Sequence, residues 1–449
     1  MKKVNTIFFV VALLTFGNLC YSQNVNPPYE VGTWQGFRTA AITFTFDDGS
    51  PNQFAIAIPM FNEFGFKLTL FIVTSPSWGW PANWTTLQSA ASQGHEIASH
   101  TVTHTSLGGL SDEQQTTELK GAQDEINARI TGQKCITMAY PYCVVGNKSI
   151  CAQYYIAARG GGGYVEPSTP GDFMNISSII CGTEGSVKTS RHFISWANSA
   201  VTSKGWCVLL LHGIDNDGGW SSVPSDTLRA VLDYLKANQD KFWVSTFADV
   251  ARYIKERNAV SVMELSNQDS SITLQVSDNL DDSIYNYPIT LRRPLPPNWQ
   301  AARILQSNQL VEAQIVEINS TKYMMFDVVP DGGDIFISSS TPSSVQYQGN
   351  HMLSAPVTVQ NYPNPFNPST VISYQLAVAS HVTLKVYDVL GREVAMLVNE
   401  AKPPGVYNAT FSIQNLSADR QGSQFSNGVY IYRFQAGDFS QSKKMVLMK

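Results

Sequence analysis

The stretch Ile42-Thr43-Phe44-Thr45-Phe46-Asp47-Asp48-Gly49 decides how the first half of this chain is interpreted. Its first five residues are β-branched or aromatic, which favours a strand, and the strand ends in two carboxylates and a glycine. Because successive side chains of a strand point to opposite faces, Asp47 and Asp48 are expected to point in different directions. One carboxylate can then bind a metal ion while the other transfers protons. An Asp-Gly pair after a strand is otherwise typical of a turn, so the interpretation depends on other segments.

Strand-like and helix-like segments alternate over residues 39–258. The segments include a helix predicted over residues 52–64 and a later helix that opens with a capping-box pattern, Ser111 and Gln114. This alternation predicts a parallel sheet, either open or closed into a barrel. Asp47, Asp48, His100 and His212 each come directly after a predicted strand. Parallel α/β proteins place their active sites at this end of their strands, so these residues are candidates for one site.

Composition excludes several classes of partner. Charged residues make up 14% of the chain, the net charge is −5, and no long run of Lys or Arg occurs. Nucleic acid and anionic membrane surfaces are therefore not expected to be partners of this protein. Residues 1–22 combine Lys2 and Lys3, a short apolar run and a cleavage-like end, which is typical of a secretory signal. No later segment is apolar enough to predict a transmembrane helix in the mature chain.

The sequence pattern changes after residue 258, where the alternation of strand-like and helix-like segments stops. Short β-rich runs separated by Gly, Pro, Asn and Asp predict an antiparallel sandwich over residues 259–338. A linker is predicted over residues 339–360, followed by a second, smaller all-β sandwich over 361–449. We predict that the middle sandwich is a spacer or docking domain rather than a glycan-binding module, because Trp299 is its only tryptophan.

Three side chains form a candidate metal site. A catalytic zinc ion needs three protein ligands and one open position for water, and Asp48, His100 and His104 supply one carboxylate and two imidazoles. Two histidines four residues apart can converge on one ion if the backbone turns tightly between them. Asp47 adjoins a ligand and is the candidate general base, while His212 is the candidate general acid.

Residues 45–49, 100–104, 140–142 and 209–212 resemble, in this order, the motifs of the polysaccharide deacetylases of carbohydrate esterase family 4. The resemblance covers residues 39–257 and implies a distorted (β/α) barrel in a domain spanning 23–258, ahead of the two Ig-like sandwiches. It also implies a divalent metal, usually Zn²⁺, held by Asp48, His100 and His104. Asp47 would be the base and His212 the acid. The backbone N–H of Tyr142 would stabilise the oxyanion together with the metal.

Two positions depart from the pattern of the family. The third motif often has an arginine two residues before its proline, where this chain has Ala139. That arginine positions the base, and Arg159, which follows a predicted strand, is the candidate replacement. The aspartate that supports the acid histidine is not evident either, and Asp172 and Asp215 are both candidates for this role.

The end of the chain carries a second resemblance. Residues 361–370, 387–394 and 427–433 resemble the C-terminal sorting domain of the type IX secretion system. The resemblance implies that the type IX machinery is a partner. It also implies export through the periplasm and outer membrane, to the cell surface or the medium.

The expected activity is therefore that of a secreted, metal-dependent deacetylase acting on an acetylated polysaccharide, with the N-acetyl group of N-acetylglucosamine-type glycans favoured. The same residues would serve an esterase acting on the O-acetyl groups of xylan. A carbohydrate-binding protein on a catalytically impaired scaffold is the alternative from another class. Trp220, in the Gly/Asp-rich loop after His212, and Tyr142 are the predicted substrate contacts.

Overall fold

The computed structural model of the chain describes residues 24–25, 27–340, 359–362, 364–376, 380–403, 405–413, 427–436 and 439–448. The chain forms two compact units, residues 1–343 and residues 344–449. The predicted signal segment 1–22 lies outside the described residues, as does most of the predicted linker. Within the described ranges, no helix has both the length and the apolar character needed to cross a membrane.

The first unit begins with two short strands and continues into a curled sheet of eight strands, all paired in parallel. The order in the sheet is the seventh, sixth, fifth, fourth, third, ninth and eighth strand of the chain, with the tenth beside the third. Arg159 ends the strand at one edge of the sheet, and Ile176 lies shortly before the strand at the other edge. A β-bridge between these two residues brings the two edges together. The sheet is therefore the distorted (β/α) barrel that was predicted. Its strands, preceded by the two short ones, are β1 (Asn24–Val25), β2 (Glu30–Val31), β3 (Ala40–Asp47), β4 (Thr69–Ile72), β5 (Glu96–Ser99), β6 (Thr137–Ala139), β7 (Ala157–Arg159), β8 (Ile179–Ile180), β9 (Trp206–Leu211) and β10 (Phe242–Val244).

Seven helices accompany these strands: α1 (Ile58–Phe64), α2 (Trp84–Ser92), α3 (Asp112–Arg129), α4 (Lys148–Cys151), α5 (Ser190–Ser203), α6 (Ser225–Ala237) and α7 (Phe247–Ala259). The capping box predicted from Ser111 and Gln114 is present at the start of α3. The helix predicted over residues 52–64 begins instead as a π-helical segment, Gln53–Ala57, ahead of α1. Helix α5 was not predicted, although its buried residues Phe193, Ala197 and Ala200 have helical spacing.

Strand β3 shows how the alternation of side chains directs Asp47 towards the site. Ile42, Phe44 and Phe46 belong to the apolar cluster that packs against the helices. Ala41 belongs to a second cluster on the opposite face, together with small residues of other strands such as Ala139. Asp47 has the same parity as Ala41, so its carboxylate lies on the inner face, at the C-terminal mouth of the barrel.

The β-rich segment after α7 folds into two sheets, and each sheet takes one strand from the N-terminus of the chain. The strands after α7 are β11 (Ser261–Gln268), β12 (Ser271–Ser277), β13 (Ile289–Pro294), β14 (Ala301–Gln306), β15 (Gln309–Val311), β16 (Ala313–Ile318), β17 (Thr321–Val328) and β18 (Ile335–Ser340). One sheet has the order β1-β11-β12-β18-β14-β15, and the other has β16-β17-β13-β2. The strands β14, β15, β1 and β2 were not predicted.

The middle sandwich and the barrel share one apolar cluster, which runs from Trp243 and Tyr253 to Leu291 and other sandwich residues. The hydroxyl of Tyr253 donates to the carbonyl oxygen of Gly32 at 2.8 Å. Trp299 is buried and its Nε1 donates to the carbonyl oxygen of Asp269 at 2.8 Å. The one tryptophan of this sandwich therefore packs inside it.

The second unit is also an all-β structure. The strands among its described residues are β19 (Val359–Tyr362), β20 (Ser369–Leu376), β21 (Ser380–Tyr387), β22 (Glu393–Lys402), β23 (Gly405–Ser412), β24 (Gly428–Ala436) and β25 (Phe439–Leu447). They form two sheets with the orders β19-β20-β23 and β22-β21-β24-β25. Val382, Leu384 and Val386 alternate along β21 and are fully buried in the core of the unit, as a sandwich requires.

Candidate active site

The predicted site residues come together at the C-terminal ends of the barrel strands. Asp47 is the last residue of β3, His100 follows β5, and His212 follows β9. Tyr142 lies in the short 3-10 turn after β6. The parallel sheet therefore brings side chains that are more than 160 residues apart in sequence to one mouth.

Asp48, His100 and His104 present their donor atoms to one point. The Nε2 atoms of His100 and His104 lie 3.8 and 3.5 Å from Oδ1 of Asp48, and one donor atom from each of the three residues lies within 4.8 Å of the others. Nδ1 of His100 lies 2.9 Å from the carbonyl oxygen of Ala139. Because a carbonyl oxygen only accepts, Nδ1 carries the proton and Nε2 keeps its lone pair for a ligand. Oδ1 of Asp48 is buried without a hydrogen-bond partner, so these residues fit a divalent cation.

The backbone reverses sharply at these residues. Asp48, Thr101 and His104 have φ values of 76°, 68° and 61°, which non-glycine residues rarely adopt. The N–H of His104 donates to Oγ1 of Thr101 at 3.1 Å and closes the turn between the two histidines. Strained residues of this kind concentrate at functional sites, and the tight turn expected between His100 and His104 is present.

A buried ion pair joins Asp47 to Arg159. Nη2 of Arg159 lies 2.5 Å from Oδ2 of Asp47, and the two residues are 1% and 2% exposed. Arg159 is the last residue of β7 and the direct register partner of Ala139 in β6. Register partners on neighbouring strands point to the same face, and the small side chain of Ala139 leaves room there. Arg159 thus reaches the base candidate from the strand beside the one expected to carry the arginine.

The electrostatics of the site separate the two aspartates. Burial opposes ionisation of Asp47, but the positive charge beside it, chiefly that of Arg159, outweighs burial, so the pKa of Asp47 lies below its usual value. Burial, and then the charge of Asp47, raise the pKa of Asp48 to about 7. Burial also lowers the pKa of His100 to about 3, which keeps this imidazole neutral. A metal ion binds histidine only in its neutral form, so the low pKa of His100 suits the binding of a cation beside the carboxylates.

His212 faces both aspartates from the end of β9, the strand that pairs directly with β3. Its Nε2 lies 3.8 Å from Oδ2 of Asp47 and 3.9 Å from Oδ2 of Asp48. Burial lowers its pKa to about 4, and its Nδ1 is buried without a hydrogen-bond partner. Asp172 pairs with Lys148 and the carboxylate of Asp215 accepts from the N–H of Ser225, so neither supports the imidazole of His212.

A residue that the sequence did not suggest, Gln53, links the two strand ends instead. Its Nε2 donates to the carbonyl oxygens of Asp47 and His212, at 2.5 and 3.0 Å. The side chain is fully buried, and its position at the start of a helix-like segment carries no sequence signal of this role. The backbones that hold the base and acid candidates are therefore tied together.

Aromatic side chains line both sides of the site. The rings of Trp78 and Tyr142 each lie 4.7 Å from the ring of His104, and Nε1 of Trp78 donates to the carbonyl oxygen of Asp48 at 3.1 Å. On the other side, the ring of Trp220 lies 4.7 Å from that of His212. Tyr142 is 68% exposed and Trp220 is 48% exposed, so both predicted substrate contacts are accessible, Tyr142 beside His104 and Trp220 beside His212.

Comparison with known proteins finds a family match in each of two segments of the chain. Residues 36–155 match the polysaccharide deacetylase family, and residues 360–448 match the secretion system C-terminal sorting domain. The chain is 29% identical to a gellan lyase of a Bacillus species over 332 residues, which is 69% of this chain and 13% of that protein. It is also 29% identical to the putative polysaccharide deacetylase YxkH of Bacillus subtilis over 102 residues, or 22% of this chain and 36% of that protein.

The chain thus spans about an eighth and about a third of the lengths of these two curated relatives. The crystal structure of a putative polysaccharide deacetylase from Mycobacterium smegmatis is similar with a TM-score of 0.39 at 18% identity, covering 50% of this chain and 93% of that chain. The chain contains a domain of the polysaccharide deacetylase family and ends in a C-terminal sorting domain of the type IX secretion system.

Proposed function

We propose that this protein is a secreted, metal-dependent hydrolase that removes acetyl groups from a polysaccharide and releases acetate. The observation that carries the proposal is the convergence of Asp48, His100 and His104 beside the ionised carboxylate of Asp47. Two imidazoles and one carboxylate suit zinc, which keeps an open position in catalytic sites. The match to the polysaccharide deacetylase family supports the same reaction class.

The residues of the chain have separate tasks in this reaction. A bound zinc ion would polarise the acetyl carbonyl and lower the pKa of a water molecule towards about 7. Asp47 accepts the proton of the attacking water, since Arg159 holds its Oδ2 while its Oδ1 is buried and has no hydrogen-bond partner. His212 is neutral in the free site because burial lowers its pKa to about 4. Its Nε2 lies 3.8 Å from Oδ2 of Asp47, so it takes up the proton that Asp47 accepts and gives it to the leaving nitrogen or oxygen. The backbone N–H of Tyr142 donates to the oxyanion.

The exposed rings of Tyr142 and Trp220 support a carbohydrate substrate. Flat aromatic faces bury the apolar faces of sugar rings, and these two rings stand beside His104 and His212. Removal of an N-acetyl group from N-acetylglucosamine-type glycans is the favoured reaction. The C-terminal sorting domain supports export by the type IX machinery, across the outer membrane to the cell surface or the medium.

Acetate release by the purified, metal-loaded chain tests the proposal, with chitin oligomers, peptidoglycan and acetylated xylan as substrates. We expect release from at least one glycan, and the preferred one distinguishes amide from ester hydrolysis. Asp47→Asn should keep its metal and lose at least about 100-fold in rate, as expected for a general base. Asp124→Asn, which changes an exposed carboxylate on α3, is the matched control. Binding of a glycan without acetate release from any of them would favour the carbohydrate-binding alternative.

A further inference from the structure

The turn that carries His100 and His104 is held from outside by a carboxylate that the proposed reaction does not use. Glu118 lies on α3, and only 9% of it is exposed. Its Oε2 accepts the backbone N–H groups of Val102 and Thr103 at 2.9 and 2.8 Å. Its Oε1 accepts the hydroxyl of Thr103 at 2.6 Å. One side chain therefore makes three hydrogen bonds to the two residues in the middle of the turn.

These bonds satisfy groups that the turn leaves without partners in a strand or helix. The chain leaves the sheet after His100, and the left-handed Thr101 directs it away from β5. Successive N–H groups of such a turn form a concave site that favours a negative charge. A backbone N–H group that loses its partner away from water destabilises the fold. Val102 is partly buried, so loss of these bonds would weaken the turn in this conformation.

The helix itself is seated closely on the same turn. A Cβ atom on Gly121, one turn after Glu118, would lie 3.0 Å from Cγ2 of Val102. On the other side of the turn, the N–H of Ser75 donates to the carbonyl oxygen of Val102 at 2.8 Å. The turn is thus fixed from both sides, and Glu118 supplies the side-chain contact from α3.

The two metal-ligand candidates flank this pinned pair of residues. His100 precedes it and His104 follows it, and their Nε2 atoms lie 3.8 and 3.5 Å from Oδ1 of Asp48. Zinc–nitrogen bonds are about 2.0–2.1 Å long, so a turn that relaxed by about 1 Å would move His104 out of range. None of the hydrogen bonds of Glu118 described above joins it to the side chain of Asp48, His100 or His104. Glu118 can therefore affect a bound metal only through the backbone of the turn.

We propose that Glu118 is a positioning residue that sets the affinity of the site for zinc, an inference that rests on the proposed function. Loss of a residue that orients metal ligands typically lowers metal affinity about 10–100-fold, and we expect this of Glu118→Ala. Glu118→Gln should lose less, about 3–10-fold, because its amide oxygen still accepts hydrogen bonds without the negative charge. Glu125→Gln makes the same chemical change on the same helix, where Glu125 pairs with Arg129 at the surface, and should bind zinc as the wild type does.

The experiment titrates zinc into the metal-free full-length variants in competition with a chromogenic chelator, with circular dichroism and thermal melting as controls for folding. At saturating zinc, Glu118→Ala should recover most of the wild-type kcat because every ligand remains, whereas His104→Ala should not. Wild-type affinity in both Glu118 variants would overturn the inference and leave the proposed function intact. If Glu118→Ala does not fold, an unchanged affinity in Glu118→Gln overturns it. A wild-type chain that binds no zinc would overturn the proposed function and this inference together.

Discussion

Replacement of Arg159 by methionine is the sharpest test of how this site is built. The substitution keeps an unbranched apolar stem while it removes the guanidinium, whose Nη2 lies 2.5 Å from Oδ2 of Asp47. The carboxylate would then be left on the inner face of the barrel with two imidazoles within 4 Å of its Oδ2. These are His100 and His212, whose Nε2 atoms lie 3.6 and 3.8 Å away.

The expected cost follows from the burial of the pair. Both side chains are nearly inaccessible to water, and breaking such a pair by removing one partner costs about 3–5 kcal/mol, because the other charge stays buried. This is a large part of a typical stability of about 5–15 kcal/mol. The free energy of unfolding should therefore fall by about 3–5 kcal/mol. Activity should fall at least about 100-fold, since small displacements of a reacting group have effects of this size.

Urea denaturation of wild type, Arg159→Met, Asp47→Asn and the double variant measures the coupling between the two side chains. The double variant should recover much of the stability lost by Arg159→Met, because no charge then remains to be compensated. A swap, Ala139→Arg with Arg159→Ala, moves the guanidinium to the register partner on the same face. The swap should recover activity relative to Arg159→Met. Less than about 1 kcal/mol of destabilisation, with more than a tenth of the wild-type rate, would refute the positioning role of Arg159.

Three further predictions concern the metal, pH and substrate. His104→Ala should bind no stoichiometric zinc, since two ligands do not hold the ion against water, and full zinc by elemental analysis would contradict the ligand assignment. Burial raises the pKa of Glu256 to about 8, although its Oε1 accepts the N–H of Tyr287 at 2.8 Å. The folded state therefore holds this proton more tightly, and its contribution to stability is lost as pH rises from about 4.5 to about 8. The free energy of unfolding of Glu256→Gln, measured by urea denaturation, should rise relative to that of the wild type as pH increases over this range. The gain should be at most about 5 kcal/mol, at about 1.4 kcal/mol per pKa unit. A difference between the two proteins that stays constant with pH would exclude this effect. Trp220→Ala should raise KM for long oligosaccharides without lowering the melting temperature, because its ring is half exposed beside His212, and an unchanged KM would place the sugar contact elsewhere.

Much of the barrel and the candidate site could be predicted because their signals are local. Strand β3 alternates between helix-facing and inward residues, and its carboxylates stand at its end. The two histidines follow β5 within five residues, so their convergence needed only a tight turn. The capping-box pattern of Ser111 and Gln114 correctly predicted where helix α3 begins.

Other features depend on register and on contacts between distant segments. Arg159 reaches Asp47 because β7 pairs with β6 so that Arg159 lies opposite Ala139, and a register between two strands has no signature within either strand alone. Strands β1 and β2 have two residues each, too few to show any periodicity. Their pairing with β11 and β13 is made by segments more than 200 residues away.

By itself the sequence predicted the alternation of strands and helices in the barrel and the kinds of domain that precede and follow the middle sandwich. It also singled out the side chains that meet at the mouth of the barrel, which are Asp47, Asp48, His100, His104 and His212. These depend on residue type and short-range spacing, which one sequence contains. Only the tertiary structure decided which cation faces Asp47, which carboxylate pins the histidine turn, and that each sheet of the middle sandwich takes a strand from the N-terminus. The physical reason is that burial and sheet pairing bring together residues far apart in the chain, and their contacts exist only once the chain has folded.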